Sequence, residues 1–125
     1  MQRTRMRPVM IVDDNPDILS AMEALLITEG IEPIVANDGL EAFRLMDLGK
    51  VPSVILLDNA MPKMNGAQFL AAMREHPKFA GIPVYVISAS GDFDGSASTA
   101  GISGFIHKPF DPDKVLAIVR RHCQV

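Results

Sequence analysis

The stretch Val54-Ile55-Leu56-Leu57-Asp58-Asn59-Ala60-Met61-Pro62-Lys63-Met64-Asn65-Gly66 decides the fold. Its four leading apolar residues have the length and composition of a strand buried on both faces. A carboxylate follows where that strand must end, and Pro62 and Gly66 impose a loop behind it. Strands of this kind belong to parallel sheets covered by helices, and in such sheets ligands gather outside the carboxyl ends of the strands. A lone Asp at a strand end serves as a turn cap. The question is whether other polar residues share its position.

They do, from remote parts of the chain. Val9-Met10-Ile11-Val12 runs into Asp13-Asp14-Asn15-Pro16, Val84-Tyr85-Val86-Ile87 runs into Ser88-Ala89, and Phe105-Ile106 leads to Lys108-Pro109-Phe110. An acidic pair, a central Asp, a hydroxyl and a Lys-Pro, each closing an apolar run and in this order, resemble the receiver domain of two-component response regulators. The resemblance spans roughly residues 8–122, and the run Asp-x-x-Met-Pro-x-Met-x-Gly from Asp58 to Gly66 carries it internally. In extent it is similar to the stand-alone chemotaxis regulators. The final helix reaches almost to Val125 without a linker, which favours a chain that acts alone.

Bulk properties agree with one globular domain. The 125 residues are 48% hydrophobic and 22% charged, enough apolar material for a core and too much for disorder. A net charge of −3 argues against direct nucleic-acid binding. The single cysteine, Cys123, excludes an internal disulfide and fits a reducing, cytoplasmic setting. No apolar run of about 18 residues exists, so membrane insertion is not expected. Arg3, Arg5 and Arg7 precede no apolar segment, so residues 1–7 read as a flexible basic tail and not a signal peptide, with the receiver domain at 8–125.

Between the strands the period changes to that of helices. Asn15 and Pro16 open one carrying Ile18, Leu19, Met22, Leu25 and Leu26, and Gly30 ends it. Pro33 inside the strand predicted at 31–36 marks a sheet edge. Asn37 or Asp38 caps a second helix with Leu40, Phe43 and Met46 on one face, and Gly66 opens a third with Phe69, Leu70 and Met73. Residues 90–101 hold three glycines and three serines, so the fourth helix is expected to be short or irregular. Asp111-Pro112 opens the last, carrying Val115, Leu116, Ile118 and Val119. Alternating strands and helices give an α/β fold with a parallel sheet and helices on both faces. The resemblance supplies the rest: a flavodoxin-like, doubly wound, five-stranded sheet of order 2-1-3-4-5.

That order would bring Asp13, Asp14 and Asp58 into one cleft, where they repel one another unless a cation intervenes. Oxygen-only ligands suit Mg²⁺. The resemblance implies that Asp14 and Asp58 bind the ion directly, that Asp13 acts through water and that the backbone carbonyl of Ala60 is a further ligand. It implies that Asp58 accepts a phosphoryl group from a partner histidine kinase or histidine phosphotransfer protein, with Ser88 and Lys108 holding the phosphoryl oxygens. Ser88 and Phe105 would form the switch, Pro109 would follow Lys108 in a cis bond, and Gly66 would close the phosphoacceptor loop. A monomer or weak dimer is expected, and no activity beyond its own phosphorylation and dephosphorylation. Two alternatives stand beside this. A pseudo-receiver would bind partners without phosphorylation. An aspartate-nucleophile phosphatase would need a general acid two residues after Asp58, where Ala60 stands.

Overall fold

A computed structural model of the chain describes residues 8–58, 66–89, 104–108 and 111–123. In chain order its elements are β1 (Val9–Val12), α1 (Pro16–Thr28), β2 (Pro33–Ala36), α2 (Gly39–Asp47), β3 (Val54–Asp58), α3 (Gly66–Arg74), β4 (Val84–Ala89), β5 (Gly104–Lys108) and α4 (Pro112–Cys123). The strands form one five-stranded parallel sheet of order β2-β1-β3-β4-β5. The two strands with unbroken apolar runs, β1 and β3, lie side by side near its middle and are buried along their whole length.

Side chains alternate across the pleat and so divide the core in two. Met10, Val12, Ile55 and Leu57 point to one face, where α2 packs Ala42 and Met46 and α3 packs Phe69, Leu70 and Met73. Val9, Ile11, Val54 and Leu56 point to the other, met by Met22 and Leu26 of α1 and by Val115 and Val119 of α4. Both faces are therefore sealed, and the polar residues that close the strands are left at the carboxyl edge.

The capping residues act as their types predict. The Asn15 side chain accepts from the Asp17 and Ile18 amides at 2.9 and 3.4 Å, with Pro16 as the first helical residue. Of the two candidates for α2, Asp38 is the cap. It accepts from the Glu41 amide at 2.8 Å, while the Glu41 carboxylate accepts from the Asn37 amide at 2.7 Å. Gly30 and Gly49, with φ of +78° and +100°, reverse the chain after α1 and α2 in the left-handed region that glycine enters freely.

Element boundaries shift slightly from expectation. The edge strand starts at Pro33, two residues later than predicted, because Pro33 is the residue that pairs with Val9 at the start of β1. β5 runs to Lys108, where it still pairs with Ala89. The tail at 1–7 and the short helix expected within 90–101 lie outside the described residues. The helix expected as the fifth is thus α4 here.

At the amino end of the sheet Tyr85 of β4 reaches across Gly104, the first residue of β5, and its hydroxyl lies 2.9 Å from Nε2 of His122 in the last turn of α4. Arg120 forms an ion pair with Glu29 just after α1, closing the same face.

Candidate functional site

Sheet register places the acids. Val12 pairs with Leu57, so the next residues, Asp13 and Asp58, leave adjacent parallel strands at the same level. The Asp13 amide donates to the Ala36 carbonyl at 3.1 Å, which carries the β1–β2 ladder one residue past β1. The chain then turns at once, and the Asn15 amide donates to Asp13 Oδ1 at 2.9 Å. The turn brings Asp14 in. One carboxylate oxygen from each of Asp13, Asp14 and Asp58 lies within 4.8 Å of the other two. Asp13 and Asp58 are 1% and 3% exposed, whereas Asp14 faces solvent.

Three carboxylates this close, two of them buried, repel one another. A hard divalent cation answers that repulsion. In an octahedron with ligands about 2.1 Å from the metal, ligand oxygens stand about 3 to 4.2 Å apart, which the cluster accommodates. The donors are all oxygen, and the exposed side at Asp14 leaves room for water or an anion. These residues fit Mg²⁺ in donor type, spacing and access.

The other expected site residues are placed by strand position. Asp58 pairs with Ile87, so Ser88 comes one step beyond it on the neighbouring strand, and Lys108 pairs with Ala89 one strand further on. Phe105 pairs with Val86, deeper in the sheet. Gly66 is the first residue of α3. The side-chain roles expected of Ser88, Phe105 and Lys108 lie outside the described residues, as do Ala60 and Pro109 altogether. One contact at the site was not anticipated, the bond from the Asn15 amide to Asp13. Its sequence signal is an Asp two residues before a backbone N–H in a turn, which is a common local pattern.

Residues 9–120 match the model of the family described as the response regulator receiver domain. The chain belongs to this family. Among relatives of the receiver, response regulator Rre1 of Synechocystis sp. is 34% identical over 116 residues, covering 90% of this chain and 49% of that protein. Protein PilG of Pseudomonas aeruginosa is 31% identical over 117 residues, covering 91% of this chain and 85% of that protein. The receiver thus spans about half the length of the first and most of the second. Among solved structures, the Vibrio cholerae chemotaxis protein CheY4 superposes with a TM-score of 0.80 at 29% identity, covering 94% of this chain and 98% of that one. Receivers of this family are signalling modules of two-component systems. Among the described residues, no helix is long and apolar enough to cross a membrane.

Proposed function

We propose that this receiver accepts a phosphoryl group on Asp58 in a Mg²⁺-dependent reaction and thereby changes its affinity for a partner protein. The observation that carries the reading is the meeting of Asp13, Asp14 and Asp58 within 4.8 Å at the carboxyl edge of the sheet. Bound Mg²⁺ supplies charge neutralisation for the carboxylates and the incoming phosphoryl oxygens. Asp13, Asp14 and Asp58 would hold it, with the Ala60 carbonyl completing the protein ligands.

The rest is done by the chain. A carboxylate oxygen of Asp58 forms the new O–P bond as the P–N bond of a partner's phosphohistidine breaks, and the departing imidazole takes up a proton. Lys108 and Ser88, on successive neighbouring strands, meet the phosphoryl oxygens. Ser88 is drawn toward them and Phe105 fills the space it leaves, a local charge change read out by a bistable packing element. The donor is a histidine kinase or histidine phosphotransfer protein, and the receiver's own chemistry extends no further than losing the phosphoryl group again. A phosphatase acting on other substrates is disfavoured because Ala60 cannot protonate a leaving group.

Acetyl phosphate with Mg²⁺, followed by intact mass measurement, tests this. Wild type gains one phosphoryl group, and Asp58→Asn or wild type in chelator gains none. An unmodified wild-type chain would leave a pseudo-receiver, and equal labelling of Asp58→Asn would move the acceptor elsewhere.

A further inference from the structure

The acids of the cluster are not held alike. Asp13 and Asp58 are buried, and the Asp13 amide is in the β1–β2 ladder. Asp14 is exposed, so packing does little to fix it, and its place is set through its chain neighbours. The neighbour that follows is Asn15, which is bonded on every side. Its amide donates to Asp13 Oδ1 at 2.9 Å, and its side-chain oxygen accepts from the Asp17 and Ile18 amides at 2.9 and 3.4 Å. Its carbonyl accepts from the Leu19 amide at 3.1 Å. Pro16 behind it has a fixed φ and no N–H, so the entry to α1 has little freedom. α1 itself is anchored in the core through Met22 and Leu26, both fully buried.

We propose that Asn15 is a positioning residue for the acidic cluster: its cap on α1 locks its own amide against Asp13, and this fixes where Asp14 stands relative to Asp58. The carboxamide oxygen is committed to helix amides, so Asn15 acts through the backbone and not as a ligand. Residues that orient metal ligands typically change metal affinity by about 10- to 100-fold when removed. Here the amide survives substitution and only its anchoring is lost, so the effect is smaller, roughly three- to tenfold.

The inference rests on the Mg²⁺ reading of the cluster, and its test keeps the two apart. Mg²⁺ is titrated calorimetrically into the full chain well below its unfolding temperature, and amide exchange at residue 15 is followed in metal-free protein. Asn15→Ala, which removes the cap, should bind Mg²⁺ roughly three- to tenfold more weakly and exchange its residue-15 amide about tenfold faster, after correction for intrinsic rates. Asn15→Ser, an equivalent cap, should restore both to within about twofold of wild type. Asn15→Gly keeps the helix start at little loss of stability but frees the backbone, so it should resemble Ala in Mg²⁺ affinity. Unchanged affinity and exchange in Asn15→Ala would overturn the proposal. So would failure of Ser to rescue, since the carboxamide would then act in some other way. Absence of Mg²⁺ binding by wild type would sink the metal reading instead, while exchange at residue 15 would still decide whether the cap anchors the turn.

Discussion

The two ends of the sheet treat ionisable groups in opposite ways. At the carboxyl end three carboxylates are gathered within 4.8 Å, two of them buried. At the amino end His122 is disfavoured from carrying charge: burial, and then the positive charge of Arg121, push its pKa below the ordinary value of 6.5. The ring meets the Tyr85 hydroxyl at 2.9 Å. The difference lies in access. The carboxyl end opens at Asp14 to solvent and ions that offset the repulsion, while the amino end, closed by the Arg120–Glu29 ion pair, half-buries the ring and offers it a hydroxyl. One end gathers negative charge at a site open to solvent, and the other draws its histidine toward the neutral form beside an ion pair.

The largest expected effect breaks the closed end alone. A Cβ on Gly104 would stand 2.9 Å from Cε2 and 3.1 Å from Cδ2 of Tyr85, a ring that is buried and held by His122. Gly104→Ala should lower stability by about 2 kcal/mol in urea titration while leaving Mg²⁺ affinity within about twofold. An equal loss of Mg²⁺ affinity would mean that the ends are not independent.

A smaller effect, of opposite sign, is expected at the open end. Asp58→Asn removes one of three mutually repelling charges, so in chelator it should raise stability by about 1 kcal/mol. Saturating Mg²⁺ should then stabilise wild type more than the variant. Thermal melts of both proteins, with and without the ion, measure it. A variant less stable than wild type in chelator would show that repulsion does not dominate the cluster.

The smallest is a pH effect at His122. Because its folded pKa is lowered, the unfolded chain binds the proton more readily. The contribution of this group to stability is full above pH 6.5 and is lost as pH falls through the folded pKa. His122→Gln should lack that part of the acid-side decline, visible as a flatter dependence of melting temperature on pH below about 6.5. Parallel curves for the two proteins would show that His122 is not held neutral by the fold.

Much of the fold is legible in the order of residues. The apolar runs at Val9, Val54 and Val84 read as strands because β-branched and aliphatic residues fill both faces of a covered parallel sheet. Asn15-Pro16 announces a helix start because both act locally, on amides two or three residues away. The choice between Asn37 and Asp38 is not legible, since both residue types cap and only the backbone at Asp38 presents its carboxylate to Glu41. The Tyr85–His122 contact is equally hidden, because its partners are 37 residues apart and share no local pattern.

The candidate site divides the same way. Family resemblance, not spacing, brought Asp13, Asp14 and Asp58 into one cleft, and strand register supplied the physical cause by setting Val12 opposite Leu57. By itself the sequence determined which stretches form strands and helices, that Asn15 caps the first helix and which acidic residues close the central strands. Those properties come from side-chain shape, polarity and short-range hydrogen bonding. The tertiary structure alone decided how near the carboxylates approach, which of them is open to solvent and that the His122 ring meets the Tyr85 hydroxyl. Distance, burial and dielectric surroundings are set by contacts between segments far apart in the chain, and no local pattern encodes them.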